Sequence, residues 1–104
     1  MRAGRLALMA NVVVCSAAEI DYTESLTWYA KQSDVAANDF DMEFDRALST
    51  ISDDPKRFPM CDMRHRFFLL RRFPFRIIYR IVSDDIVVIA VAHSSRSPDY
   101  WSDR

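Results

Sequence analysis

The chain has 104 residues, half of them hydrophobic and 12% aromatic, with one Gly, four Pro and a formal charge of −1. That length fits one domain around one core, and so little Gly and Pro excludes a loop-rich or disordered chain. Two cysteines, Cys15 and Cys61, are too few for a disulfide framework and sit in no metal-type spacing, and no apolar run reaches the ~20 residues of a membrane span.

Arg2 and Arg5 precede an apolar stretch ending in Ser16-Ala17-Ala18, the outline of a signal peptide. The apolar run is short and broken by Asn11, so the reading is a core strand within Asn11–Cys15, carried by β-branched Val12, Val13 and Val14. Met9 is a candidate natural start, which makes residues 1–8 an N-terminal extension of a single domain spanning 1–104. Glu19 to about Ser33 follows as a helix, with Tyr22, Leu26, Tyr29 and Ala30 in one stripe. Ser33 or Asp34 caps a second helix, whose stripe is Phe40, Phe44, Ala47, Leu48 and Ile51. Asp53-Asp54-Pro55 ends it. The two helices make a hairpin.

Lys56 to about Met63 reads as a loop, and Arg64–Arg71 as a strand that Pro74 closes. Phe75–Val82 is the clearest strand. Phe75, Ile77, Tyr79 and Ile81 point one way; Arg76, Ile78, Arg80 and Val82 point the other. Ser83-Asp84-Asp85 is a hairpin turn. Ile86–Ala92 is apolar without alternation, which predicts a central strand covered on both faces. The order strand-helix-helix-strand-strand-strand predicts an α+β fold, an antiparallel sheet with a helical hairpin packed on one face.

Charge is unevenly spread along the chain. Residues 1–54 carry four Lys/Arg against ten Asp/Glu, and residues 55–104 carry ten against five. Nine of those ten cations are Arg, whose planar fork pairs with phosphate or carboxylate. Arg76 and Arg80 share a face of one strand, ~13 Å apart. Arg71 or Arg72 can join them across the ladder, forming a basic strip for a phosphate backbone or an acidic partner. The competing reading is that these cations pair with the chain's own carboxylates.

His93 ends the central strand, and Arg96, Tyr100 and Trp101 follow it. Attack of a 2′-hydroxyl on the adjacent phosphorus needs a base, an acid and cations. Arg76, His93, Arg96 and Tyr100 are catalytic candidates for that reaction, with no metal and no cofactor required. The commoner role of a lone His at a strand end is that of a hydrogen-bonded structural residue, and His93 is read that way too. Trp101 is equally a base-stacking ring or a plug for the open end of the core. Asp39, Asp41, Glu43 and Asp45 read as a solvated helix face rather than a metal site.

From about Met9 to Arg104 the chain resembles the RelE/ParE toxins of type II toxin–antitoxin systems. The resemblance is carried in order by Val12-Val13-Val14, Ala18-Glu19-Ile20-Asp21, Trp28-Tyr29, Ile51 and Pro55. It continues through Arg71-Arg72-Phe73-Pro74-Phe75-Arg76-Ile77-Ile78-Tyr79, Ile89-Ala90-Val91-Ala92-His93, Arg96, Pro98, Tyr100 and Trp101. It is similar above all to the ParE-like, plasmid-stabilisation branch. The resemblance implies a cytoplasmic toxin held inactive by a cognate antitoxin, with operator DNA contacted only through that antitoxin and no membrane role. It implies one of two targets, DNA gyrase or the ribosome and its messenger RNA. Arg76 and Arg96 match phosphate-contacting arginines of the ribonuclease branch. Phe67 and Leu69 stand where that branch places catalytic lysines, which favours gyrase. Three readings follow: a gyrase-inhibiting toxin, a metal-independent endoribonuclease, or a non-toxic interaction module. Under the first, Arg71, Arg72, Arg76, Arg80, Arg96 and Trp101 are the candidate target-binding residues.

Overall fold

A computed structural model describes residues 11–104; the readings of residues 1–8 as an extension and of Met9 as the start lie outside those residues. The elements are β1 (Val12–Val14), α1 (Ser16–Gln32), α2 (Asp34–Asp53), β2 (Arg66–Leu69), β3 (Phe75–Val82) and β4 (Asp85–His93). Their order is the expected one. The sheet runs β1-β4-β3-β2, with β2, β3 and β4 antiparallel and β1 adding a parallel ladder to β4. The long crossover through both helices places β1 at the sheet edge beside β4, with room for the parallel pairing observed.

Only Ser33 separates the helices, and its Oγ accepts from the Ala36 amide at 2.9 Å. This satisfies one amide of the first turn of α2, a contact whose loss costs about 1 kcal/mol. All five stripe residues of α2 are buried. On α1, Tyr22 is buried and Leu26 and Tyr29 are partly so, whereas Ala30 is exposed. Tyr22 and Phe40 stack at 5.7 Å, and Phe40 also meets Phe73 and Phe75. These aromatics carry the contact between the helix hairpin and the sheet.

The strand faces divide as the alternation predicts. Phe75, Ile77 and Tyr79 join the core under the helices, while Ile78 points to the opposite face. That outer face is covered too: Ile78, Ile89, Ala90 and Ala92 pack with Trp101, flanked by Cys61, Phe67 and Tyr100. β4 is therefore central and buried on both sides. A bulge sits in β4, because Ile78 pairs with Ala90 but Tyr79 pairs with Val88. Ile89 is the extra residue, so Ile89 and Ala90 both face outward while Val88 and Val91 face the helices. The β3–β4 turn consists of Ser83 and Asp84, with Ser83 at φ 56°. β2 is shorter than the expected Arg64–Arg71, because Arg71 and Arg72 swing away toward α2.

Candidate functional site

At one end of the sheet, the start of β3, the end of β4 and the tail enclose a cleft of about 420 Å³. It brings together Arg76, His93 and Arg96, with Leu69, Phe73, Pro74 and Pro98 among its walls. The Ser94 amide donates to the Pro74 carbonyl at 2.8 Å and ties the tail's first residue to the head of β3. Across His93, Pro74 and Phe75 lies a second cavity of about 570 Å³, closed by Glu24, Trp28 and Tyr29 of α1.

Arg76 is partly exposed, and its guanidinium lies 5.4 Å from the Phe67 ring centre. No carboxylate among the described residues pairs with it. The cation is held by a ring face, which orients it without neutralising it.

Arg96 differs. Its guanidinium stacks 3.7 Å from the Tyr100 ring and stands 3.6 Å from Asp21, half-exposed. Asp21, on α1 and 4% exposed, is the hub of this end of the molecule. It accepts from the Val91 amide at 3.1 Å, the Tyr100 hydroxyl at 3.0 Å and Arg104 Nη1 at 2.7 Å. A buried carboxylate so surrounded is satisfied rather than reactive. Burial, then the adjacent Asp21, push the Tyr100 phenol up to about 12. Its proton is thus committed to Asp21, and the group is a weak acid toward any leaving oxygen near neutral pH.

His93 packs edge-on against Phe75 at 4.9 Å. Its Nδ1 accepts from the Ser95 amide at 3.0 Å, which places the neutral ring's proton on Nε2. Nε2–H can donate to a bound group but cannot take a proton while the ring is neutral.

Trp101 is 3% exposed and meets His65 edge-on at 5.0 Å. It plugs the outer face, as the core reading of that residue has it. His65, 1% exposed, faces the Asp62 carboxylate, which accepts from its Nδ1 at 2.9 Å. The Arg64 amide, together with His65, holds the Asp62 carboxyl below its usual range. Arg72 is neutralised by Glu43 at 3.2 Å, with Asp39 at 3.9 Å. Glu43, read from sequence as part of a solvated face, is 3% exposed and also receives the Arg71 amide at 3.4 Å. The Arg71 side chain is exposed beside it. Arg80 lies outside the cleft, at the far end of β3.

The continuous strip expected from Arg71, Arg72, Arg76 and Arg80 is therefore divided. Arg72 is paired with α2, while Arg76 and Arg80 occupy separate pockets on the outer side. No local motif marks Asp21 and Glu43 as hubs. The signal in the chain is weaker: each is a carboxylate on a helix next to a core aromatic, Tyr22 or Phe44.

A family model described as the ParE toxin of the type II toxin–antitoxin system parDE matches residues 13–98. No curated protein matches the chain. Among solved structures, a chain from the chromosomal ParDE toxin–antitoxin system of P. aeruginosa is similar in fold, with a TM-score of 0.70 at 14% identity. The match covers 82% of this chain and 96% of that one.

Proposed function

The chain belongs to the ParE toxin family of type II toxin–antitoxin systems, and from that we propose that it is neutralised by a cognate antitoxin and inhibits DNA gyrase. The observation that carries the choice of target is the chemistry of the cleft. Two guanidiniums are present, but no free base and no ready acid accompany them. Phe67 and Leu69 give the neighbouring strand apolar walls, Tyr100 is tied to Asp21, and His93 presents Nε2–H. Such a cleft suits holding an anionic or polar surface better than splitting a phosphodiester. The proposed setting is cytoplasmic, with operator DNA reached through the antitoxin and growth inhibition as the outcome of unopposed expression. No helix among the described residues is long and apolar enough to cross a membrane.

One observation favours a second reading, a metal-independent ribonuclease. Arg76, His93 and Arg96 do share one cleft. The two readings part in a direct assay. The purified chain is incubated with gyrase and plasmid, and in parallel with translating ribosomes. Loss of supercoiling or trapped gyrase–DNA complexes, with messages intact, is expected. Cleaved messages with normal supercoiling would overturn the gyrase reading. Absence of any growth defect on expression without the antitoxin would leave the non-toxic interaction module. Arg76→Ala is expected to abolish most toxicity while the thermal transition stays in place.

A further inference from the structure

At the end of β3 away from the cleft, four cations from separate stretches of chain meet. Lys56 follows α2, Arg64 lies in the loop before β2, Arg66 starts β2 and Arg80 sits near the end of β3. They line one pocket of about 520 Å³, whose remaining walls are apolar, Met60 and Met63 among them. No carboxylate lines the pocket. Among the described residues no ion pair reaches any of the four cations. Two acids lie two residues from these cations in sequence: Asp62 is turned to the His65 ring and to the amides of Arg64 and His65, and Asp54, before Lys56, forms no ion pair with any of the four among the described residues.

Two details make this more than a chance gathering of surface charge. Arg66 Nη1 donates to the Lys56 carbonyl at 3.0 Å and the Phe58 carbonyl at 2.7 Å, so it fastens the loop that carries Lys56. Arg80 Nε is buried and meets no acceptor among the described residues. A buried charged donor without an acceptor is costly, and four like charges in one concavity repel one another. Both costs fall when an oxyanion occupies the pocket.

We propose that this pocket is a phosphate-backbone site, through which the chain itself grips a nucleic-acid strand without reading its sequence. Charge density decides between a phosphate strand and an acidic peptide. A nucleic-acid strand carries one negative charge per roughly 3.4 Å of helix axis. Side chains on one face of an extended peptide recur only every ~7 Å. Four cations converging on a single pocket match the denser anion, and three of them are guanidinium forks suited to phosphate oxygens. Arg76 lies on the same face of β3, ~13 Å away, so a strand leaving the pocket has a further cation in its path. The site is separate from the cleft and does not depend on which target the toxin attacks.

The test uses the full chain and a fluorescent single-stranded oligonucleotide of mixed sequence, with no gyrase present. Binding is followed by anisotropy across a salt series. In Lys56→Gln/Arg64→Gln/Arg80→Gln the slope of log affinity against log salt is expected to flatten by about 2, near 0.7 per lost contact. Binding near 0.1 M salt then weakens roughly a hundredfold. Arg66 is kept because it holds the loop, and Lys31→Gln on α1 serves as the control with an unchanged slope. An unchanged slope in the folded triple variant would overturn the proposal. So would a short poly-glutamate peptide displacing the oligonucleotide at lower charge-equivalent concentration, which assigns the pocket to acidic peptides. If the triple variant fails to fold, exposed Arg64→Gln by itself should flatten the slope by about 0.7, and no change in it would be equally damaging. The result leaves the choice between gyrase and ribosome where it was.

Discussion

Two sets of arginines in this small molecule have opposite fates. Arg72, Arg96 and Arg104 reach buried carboxylates, Glu43 for the first and Asp21 for the others. Arg76 and Arg80 project from the outer side of β3 and meet no carboxylate of the described chain. The residue type is the same; the difference lies in what the helices offer. α1 and α2 each direct one buried acid at the segments that flank the sheet, so the flanking cations become staples. No helix among the described residues lies on the outer face, and Asp62 there is turned to His65, so Arg76 and Arg80 stay unpaired. Position relative to the helix hairpin, rather than charge count, separates paired from unpaired arginines here.

Removing a staple should hurt folding most. Asp21→Ala strands Arg104, the Tyr100 hydroxyl and the Val91 amide at once, and should cost about 3 kcal/mol or more. Urea unfolding would register this as a lower midpoint; a variant as stable as the parent would mean that Asp21 does not organise the tail. Glu43→Gln keeps the shape but loses the charged contact to Arg72, for about 1–3 kcal/mol.

The alkaline limb of stability comes next. Burial lifts the phenols of Tyr79 and Tyr100 to about 12 in the folded chain, against roughly 10 unfolded. A raised folded value means the folded state keeps the proton more tightly. The stabilisation is complete below about pH 10 and is lost as pH rises toward 12. Absorbance titration of tyrosinate should show these two rings ionising together with unfolding, and Tyr79→Phe should shallow that limb. Asp62 works at the other extreme: its lowered carboxyl contributes stability above its ordinary range, near 3.9, that fades as pH falls through its folded value. In Asp62→Asn that part of the acid limb should disappear.

The smallest effect on folding belongs to the open set. Arg76→Gln should move stability by less than about 0.5 kcal/mol while removing most of the toxicity. A large loss of stability there would show that its contact with Phe67 is structural and would erase the contrast between the two sets.

Much of this was legible from residue order. The α2 stripe from Phe40 to Ile51 and the alternation of Phe75–Val82 follow from period alone, and both lie where the periods put them. The Ser33 cap follows from side-chain chemistry. The parallel partner of β1 was not legible, because three valines carry no sign of direction. Nor was the fate of each arginine, since pairing between Arg72 and Glu43, or Arg104 and Asp21, spans 29 and 83 residues. Such pairings are set by the packing of helix on sheet, which no local pattern encodes. The run Ile86–Ala92 pointed to a buried strand but hid the bulge, because apolar residues suit both faces equally.

That extra residue in β4 fixes a parity. With Ile89 present, the strand's last residues are turned over, and His93 rests against Phe75 on the helix side. A relative of the same length without the bulge would turn its terminal imidazole to the outer face, whereas one lacking the residue at Ile89 would keep it opposite Phe75. Gapless alignment across this strand would then equate side chains that occupy opposite sides of the sheet. For this scaffold, the residue count from the hairpin turn to the histidine, taken together with the bulge, says which face of the sheet carries the imidazole.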